Sequence, residues 1–325
     1  MYVTLATHAC PPSHKIPDMA FDLREHLQKS LGPEKRVSRE LGGGGMARVF
    51  VADDDSGTRV VVKVLSPDLA IGVDGQRFKR EIRLASSLHH PRIVPVLEAA
   101  NAGAVLYYTM PFIDGQTLRA LIRDQKRLSV DAAVAAARDV AEALVYAHGK
   151  NVVHRDIKPE NILIERETNR AFVTDFGIAR AIQQSAEIST VTSTGHTLGT
   201  PTYMSPEQAA AEGTIDGASD VYSLGCVLFE MLAGSPPFTG PNERTVIARH
   251  MTEPPPHVRE IRSEVPPELE RTILRTLTKA PKTRLSPSQL IRALDGEIVP
   301  EEETPASGRW SVLHDAASRL RQLFH

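Results

Sequence analysis

The sequence predicts an α+β protein of two lobes, in which a small β-rich lobe with one helix precedes a larger, mainly helical lobe. Before Gly115, short Val-rich runs alternate with Gly-containing turns, a pattern typical of strands joined by hairpins. After Gly115, apolar residues recur at helical spacing. The chain has 325 residues, 41% of them hydrophobic and 24% charged, which is ordinary for globular proteins and allows one bilobal domain or two domains.

The small lobe is expected to begin near Lys35. A turn of Asp, Ser and Gly at 54–57 joins its first two strands, and His89-His90-Pro91 ends its helix. The predicted strands are Arg48–Asp53, Arg59–Leu65, Ile93–Glu98 and Ala104–Met110, and the predicted helix is Asp74–Leu88.

Residues 1–34 form a predicted N-terminal extension. Residues 1–20 lack hydrophobic periodicity, and we expect them to be disordered. The segment Asp22–Leu31 is predicted to be a short helix, because apolar residues share one face and Gly32-Pro33 ends it.

The larger lobe is predicted to contain five amphipathic or buried helices. Ser129 and Asp131 suit the start of the longest one, through N-terminal capping and favourable interaction with the helix dipole. The predicted helices are Thr117–Asp124, Val130–His148, Ser219–Ala233, Pro267–Lys279 and Pro287–Leu294.

The tail, residues 298–325, differs in composition from the rest. Glu301–Gly308 resembles a linker, and apolar residues between Trp310 and Phe324 recur at helical spacing among arginines, which predicts a short amphipathic helix. That helix either docks on its own domain or frays, or it contacts a partner or a membrane surface.

Charge and cysteine content exclude several classes of function. The formal net charge is -2, so no global field attracts nucleic acid or an anionic membrane. Cys10 and Cys226 lie far apart in sequence and suit neither a disulfide framework nor a zinc site, which makes the cytoplasm the expected location. No stretch reaches the roughly 18 uninterrupted apolar residues of a membrane span, and Met1–Ala20 does not resemble a secretory signal.

The most specific motif is Val153-His154-Arg155-Asp156-Ile157-Lys158-Pro159-Glu160-Asn161, followed by Asp175-Phe176-Gly177. These residues supply the groups that phosphoryl transfer from a nucleotide requires. Asp156 can orient and deprotonate a hydroxyl group, and Lys158 can meet the charge of the γ-phosphate. Asn161 and Asp175 can hold Mg²⁺.

A glycine-rich loop lies between two predicted strands, where backbone N–H groups can approach phosphate oxygens closely. Because a strand follows it and not a helix, the loop predicts a β-hairpin over a nucleotide, although a glycine run can also be only a flexible loop. The nucleotide-binding candidates here are Leu41, Gly42, Gly43, Gly44, Gly45 and Val49.

Lys63 lies in the apolar run Val60-Val61-Val62-Lys63-Val64, where its charge needs a partner. Glu81, on the following predicted helix, can pair with it and align it with the α- and β-phosphates. Glu98 is the competing candidate, but it does not lie on that helix. A lysine on a strand can also serve solubility at a sheet edge.

At Tyr107–Gly115 the chain resembles a protein kinase of the bacterial Hanks type, and the resemblance covers roughly residues 35–297. It implies the bilobal protein-kinase fold, with a small lobe at 35–110, a hinge at 111–115 and a large lobe at 116–297. Met110 would be the gatekeeper, and the Pro111 carbonyl and the Ile113 N–H would bind adenine. Pro111 replaces the acidic residue often found there, but it retains the carbonyl.

The resemblance also implies roles for individual residues. Asp156 would be the catalytic base, Lys158 the phosphate contact, and Asn161 and Asp175 the metal ligands. A lysine two positions after the catalytic aspartate, as Lys158 is, resembles the pattern of serine/threonine kinases and not that of tyrosine kinases. The other implied contacts are hydrogen bonds of Thr200 with Asp156 and Lys158, a pair between Glu207 and Arg284, and support of the catalytic-loop backbone by Asp220.

The segment Ile178–Leu198 is rich in Ser and Thr and is predicted to be an activation loop, although it can also be simply a polar loop. Phosphorylation would add an anion that can dock on Arg155, the cation directly before Asp156. Thr192 and Thr194, whose positions relative to Thr200 resemble the sites of bacterial kinases, are the predicted autophosphorylation sites.

The sequence therefore predicts a serine/threonine protein kinase that uses ATP and Mg²⁺, with Mn²⁺ as an alternative metal, and that acts on protein substrates and not on nucleic acid. Dimerisation through the small lobe is expected from the resemblance. Two alternatives remain: an ATP-binding pseudokinase scaffold, and a small-molecule phosphotransferase of the same fold. The first is disfavoured because all five catalytic residues are present, and the second because Gly199–Glu207 suits a polypeptide acceptor.

Overall fold

A computed structural model of the chain describes residues 23–43, 47–65, 82, 86–102, 105–176, 201–211 and 215–300. Within these residues the protein has a small lobe built on an antiparallel sheet and a larger helical lobe, as the sequence predicts. The small-lobe sheet has five strands in the order β1-β2-β3-β5-β4. The strands are β1 (Lys35–Gly43), β2 (Ala47–Asp54), β3 (Arg59–Leu65), β4 (Glu98–Ala102) and β5 (Val105–Pro111).

Strand β3 presents two different faces because its side chains alternate. Val60, Val62 and Val64 pack with the helix α1 (Leu23–Leu31) in one apolar cluster. Val61 belongs instead to a cluster with Met110. Lys63 shares the alternation of Val61, so the fold directs it away from α1 and toward the second lobe.

Helix α1 confirms the short helix predicted in the N-terminal extension, and it covers an open edge of the sheet. The side-chain amide of Gln28 donates to the Lys35 carbonyl at 2.8 Å and accepts from the Val37 N–H at 2.9 Å. Arg24 donates to the Val37 carbonyl at 3.0 Å. Polar groups of edge strand β1 are thus satisfied by side chains of α1, which protects an edge that another chain could otherwise pair with.

The prediction of a strand at Ile93–Glu98 was wrong, because β4 begins only at Glu98. Ile93 forms an isolated bridge with Val173 in the large lobe, and the Val94 N–H donates to the Val173 carbonyl at 2.9 Å. The apolar run is buried by contact between the lobes and not by pairing in a sheet. A hydrophobic pattern alone does not distinguish these two kinds of burial. Strand β1 was not predicted, since only Val37 of its residues is buried.

The large lobe is built around two long helices, α3 (Val130–Gly149) and α5 (Gly217–Ala233), which share its main apolar cluster. The Ser129 side chain accepts from the Ala132 N–H at 3.2 Å, which confirms the predicted cap. The other helices are α2 (Leu118–Gln125), α4 (Pro206–Ala209), α6 (Glu243–Thr252), α7 (Val258–Ile261), α8 (Pro267–Thr276) and α9 (Pro287–Leu294).

Two features of the large lobe differ from expectation. Helix α8 ends at Thr276 and not at Lys279: Leu277 is its C-cap, and the Leu277 N–H donates to the Ile273 carbonyl at 3.1 Å. A second sheet, in the order β6-β7-β8, was not predicted, since its strands are very short. They are β6 (Gly115–Thr117), β7 (Ile162–Glu165) and β8 (Ala171–Val173).

The second sheet positions the candidate site. The motif residues Asp156 to Asn161 lie directly before β7, and Asp175 lies two residues after the end of β8. Because β7 and β8 pair antiparallel, with Ile162 opposite Val173, the start of one strand meets the end of the other. This brings Asn161 and Asp175 to the same end of the hairpin.

Candidate active site

Asp220, fully buried on α5, holds the backbone of the catalytic loop. Its carboxylate accepts from the His154 N–H at 2.8 Å and from the Arg155 N–H at 2.7 Å. These bonds stabilise a left-handed backbone at Arg155, whose φ is 69°. The expected support of the loop by Asp220 is therefore confirmed, and His148 adds a third contact to the same carboxylate at 2.8 Å.

The predicted catalytic base, Asp156, is held by two neighbours from its own loop. The Lys158 ammonium lies 2.7 Å from Oδ2 of Asp156. The Asn161 amide donates to the Asp156 carbonyl at 2.8 Å and to the same Oδ2 at 2.9 Å. About a third of the Asp156 side chain, 33%, stays exposed, so an acceptor from solution can reach it.

Asp175 is engaged from the small lobe. Lys63 pairs with its Oδ2, and the Tyr108 hydroxyl donates to its Oδ1 at 2.6 Å. Burial alone would favour the neutral acid, but the Lys63 ammonium and the two hydrogen bonds outweigh it, so the pKa of Asp175 lies below its ordinary value. Burial, reinforced by the negative charge of Asp175, raises the pKa of Tyr108, which keeps the phenol protonated as a donor.

The backbone around Asp175 is fixed from the large lobe. Asp175 itself has a φ of 69°, which is uncommon for a residue with a side chain. The Thr174 N–H donates to the Asn161 carbonyl at 2.9 Å, and His154 contacts the Thr174 carbonyl at 2.8 Å. The loop of Asp156 and the segment of Asp175 are thereby joined into one unit.

The nucleotide-binding candidates lie around an apolar surface between the lobes. Met110 is buried there with Val61 and Val94, and Val49 and Ile113 pack against them. From the large lobe, Leu163 and Phe172 complete the surface. An apolar slot between two lobes is the kind of site that takes a flat heterocycle.

The strands on either side of the glycine-rich loop, β1 and β2, pair antiparallel. Gly43 of β1 pairs with Arg48 of β2, and Leu41 is 48% exposed. Gly42 has a φ of +131°, which strains any residue with a side chain. Pro111, predicted as hinge, is the last residue of β5, and the following Phe112 N–H donates to the Arg59 carbonyl at 3.3 Å.

Several predicted site residues lie outside the described residues, namely Gly44, Gly45, Glu81, Thr192, Thr194 and Thr200. The predicted pair of Lys63 with Glu81 is therefore untested. Its competitor Glu98 lies 3.8 Å from Lys35, on the far side of the sheet from this site.

The pair predicted between Glu207 and Arg284 is confirmed. Two hydrogen bonds join them at 2.5 and 2.7 Å. Beside Glu207, the Gln208 side chain donates to the Arg155 carbonyl at 2.8 Å. The segment that carries Glu207 and Gln208 is therefore tied both to the lobe core and to the catalytic loop.

Sequence reasoning missed two groups near the site. One is Tyr108, whose only sequence signal is a hydroxyl two residues before Met110 in an apolar strand. The other is Arg119 of α2, which donates to Glu160 at 2.8 Å and to the buried Glu230 at 2.7 Å. Tyr203 completes this network by donating to Glu230 at 2.5 Å. No sequence pattern indicates that Arg119 bridges these distant acids.

Across the part of the chain that the structure describes, no helix combines the length and apolarity needed to cross a bilayer.

Comparison with known proteins agrees with this geometry. Residues 36–293 match the family described as the protein kinase domain. The serine/threonine-protein kinase PknB of Mycolicibacterium smegmatis is 39% identical over 282 residues, which cover 85% of this chain and 44% of PknB. The serine/threonine-protein kinase PrkC of Bacillus subtilis is 36% identical over 269 residues, covering 82% of this chain and 41% of PrkC.

A solved structure shows the same fold. The structure of Rad53 residues 1–466 in complex with AMP-PNP superposes with a TM-score of 0.67 at 23% identity, covering 80% of this chain and 64% of that one. This chain spans less than half the length of the two bacterial relatives. The family match and the two relatives show that the chain belongs to the protein kinase domain family, among the bacterial Hanks-type serine/threonine protein kinases.

Proposed function

We propose that this protein transfers the γ-phosphate of ATP to serine and threonine hydroxyls of other proteins. The observation that carries the proposal is the joining of Asp156, Lys158 and Asn161 to the segment of Asp175, which is paired with Lys63. These contacts support a site in which Asp156 would be the base, with the cations Lys63 and Lys158 and the oxygen ligands Asn161 and Asp175 near it. Membership of the family implies the use of ATP and Mg²⁺.

The residues present fit a hard divalent cation. Asp175 offers a carboxylate, and Asn161 directs its amide N–H groups at Asp156, so its oxygen is the atom suited to a metal. Oxygen ligands from one or two side chains, with the remainder from phosphates and water, are typical of Mg²⁺ in nucleotide sites. When bound, Mg²⁺ would neutralise negative charge on the phosphates, and Mn²⁺ is an alternative.

The other steps of phosphate transfer would depend on three side chains of the site. Asp156 orients the acceptor hydroxyl and takes its proton. Lys158, 2.7 Å from Asp156, is placed to contact the transferred phosphate, and Lys63 meets the phosphates of the nucleotide. Since the transition state of phosphoryl transfer is loose, positioning and electrostatic stabilisation account for most of the catalysis.

The test is phosphate transfer from labelled ATP to a generic protein acceptor, beside aminoglycoside and sugar acceptors. Asp156→Asn should lower kcat by about 10²- to 10⁴-fold, the usual contribution of a general base. Asp295→Asn is the matched control, because Asp295 is a 43% exposed acid that pairs with Arg138. Transfer to protein in the wild type and in Asp295→Asn, but not in Asp156→Asn, would support the proposal.

A scaffold without catalytic activity predicts a different result. Such a protein would gain thermal stability on adding nucleotide, yet transfer no phosphate to any acceptor. Transfer only to aminoglycosides or sugars would instead identify a small-molecule phosphotransferase.

Autophosphorylation of Thr192 or Thr194 is part of the proposal. A phosphate on this loop would carry roughly -1.5 to -2 charges and can form charge-assisted bonds with arginine. The double variant Thr192→Ala/Thr194→Ala should lose activity on an added substrate, whereas Thr252→Ala, on the exposed surface of α6, should not. Full activity of the double variant would show that the loop is not the switch.

Two further contacts stay predictions from the sequence. Dimerisation through the small lobe would appear in sedimentation as a concentration-dependent increase in mass. Binding of the tail, residues 298–325, to a membrane surface would appear as co-sedimentation with anionic vesicles.

A further inference from the structure

Tyr108 and Lys63 are cross-strand neighbours that meet on one carboxylate. In the pairing of β3 with β5, Lys63 lies directly opposite Tyr108. Opposite residues in antiparallel strands project from the same face of the sheet. The Lys63 ammonium donates a hydrogen bond to Oδ2 of Asp175, and the Tyr108 hydroxyl donates one to Oδ1 at 2.6 Å.

The hydroxyl of Tyr108 is buried and bonds to the carboxylate of Asp175. Tyr108 is 3% exposed, and a buried hydroxyl group requires a hydrogen-bond partner. Its partner is an ion, and the 2.6 Å distance is in the range of charge-assisted O–H···O⁻ bonds. The adjacent Tyr107 points to the other face, where its hydroxyl makes only a 3.3 Å contact with the Ser30 carbonyl.

We propose that Tyr108 is a positioning residue that holds the carboxylate of Asp175 in the orientation in which it binds the divalent metal. The proposal rests on the proposed function, in which Asp175 is a metal ligand. Hydrogen bonds to a ligating carboxylate fix its orientation and are a recognised part of metal sites.

Lys63 cannot replace this contact during the reaction. Its ammonium is expected to move onto the phosphates when the nucleotide binds. Among the small-lobe residues that the structure describes, Tyr108 is the other donor to Asp175, and its hydroxyl would keep this contact. The left-handed backbone of Asp175, with a φ of 69°, makes such restraint useful, since this conformation needs support from its surroundings.

The test compares Tyr108→Phe with Tyr107→Phe, which removes the same atom from the neighbouring residue and leaves the site untouched. Mn²⁺ binding is measured by electron paramagnetic resonance in the presence of a non-hydrolysable ATP analogue. The affinity of the analogue without metal is measured separately by calorimetry. Melting temperatures show that both variants are folded, which is expected because phenylalanine retains the ring.

Tyr108→Phe should weaken Mn²⁺ binding by about 10-fold or more, the usual effect of losing such a contact. Metal-free binding of the analogue should stay unchanged, as should both affinities in Tyr107→Phe. Equal Mn²⁺ affinity in the two variants, or tighter binding in Tyr108→Phe, would overturn the proposal. Because metal binding is read without turnover, a wild type that binds Mn²⁺ but transfers no phosphate would contradict the proposed function alone.

Discussion

The carboxylate of Glu207 accepts two hydrogen bonds from the Arg284 guanidinium, at 2.5 and 2.7 Å, although the residues are 77 positions apart. Their side chains are only 4% and 0% exposed. Ser219 donates a further bond to Glu207 at 2.5 Å, and Arg284 also donates to the Ala218 carbonyl at 3.0 Å. Arg284 also donates to the Thr278 and Lys279 carbonyls, at 2.8 and 2.9 Å, so all five N–H groups of its guanidinium have an acceptor.

Removing one partner of this pair should destabilise the large lobe strongly. Arg284→Met leaves the Glu207 carboxylate buried without its cation, which typically costs about 3–5 kcal/mol of unfolding free energy. Urea denaturation measures the change. Arg292→Met is the control, because Arg292 and Glu297 form an exposed pair at 2.6 Å, and such pairs contribute about 0–1 kcal/mol. Equal losses in both variants would contradict the prediction.

His250 should make the protein less stable as the pH falls. Burial, together with the nearby charge of Lys279, lowers the pKa of His250 from 6.5 to about 3. Its ring is held neutral, with Nδ1 2.9 Å from the Tyr222 hydroxyl and Nε2 3.0 Å from the Thr202 carbonyl. The unfolded chain takes up a proton near pH 6.5 and the folded chain does not, so stability is present above pH 6.5 and is lost below it.

Each pH unit below 6.5 should remove about 1.4 kcal/mol through this histidine. The unfolding free energy of wild type and His250→Gln is compared at pH 7 and pH 5. The variant should show a smaller loss between these values by about 2 kcal/mol, whatever its stability at pH 7. His257→Gln, at an exposed ring, should retain the wild-type difference. Parallel pH profiles for wild type and His250→Gln would refute the assignment.

Helix α1 should be an integral part of the small lobe. Leu27 is fully buried against the sheet, so Leu27→Ala should lower stability by about 2–5 kcal/mol. Ile261→Ala is the control, since Ile261 is 43% exposed and surface truncations have little effect. The measurement is thermal unfolding, with ATP-analogue affinity as a second reading. An unchanged melting temperature in Leu27→Ala would mean that the extension only rests on the sheet.

The parts of the site that the sequence predicted are those that lie close together along the chain. Asp156, Lys158 and Asn161 fall within six positions, so the loop that carries them could be identified from its spacing. The support from Asp220 and the pair of Glu207 with Arg284 were implied by family resemblance, and the geometry confirms them.

The parts that the sequence did not predict depend on tertiary contacts. The partners Lys63 and Asp175 are 112 positions apart, and Tyr108 and Asp175 are 67 apart. Packing between the lobes decides which face of β5 contacts the segment of Asp175. The sequence pattern of one strand does not show which face that is. The same reason explains why Ile93–Glu98 was predicted to be a strand, since burial against the other lobe leaves the same apolar pattern.

Asp220 should control catalysis through the backbone that it holds. Asp220→Ala leaves the N–H groups of His154 and Arg155 without their acceptor, at a cost of about 1–3 kcal/mol for each buried group. Relaxation of the left-handed backbone at Arg155, where φ is 69°, would then move Asp156. Steady-state kinetics should show kcat falling by at least about 10-fold with little change in KM for ATP, since a misplaced base affects the transition state and not nucleotide binding.

Asp216→Ala, at the exposed cap of the same helix, should lose stability but keep kcat. An unchanged kcat in a folded Asp220→Ala would show that the loop holds its shape without this carboxylate.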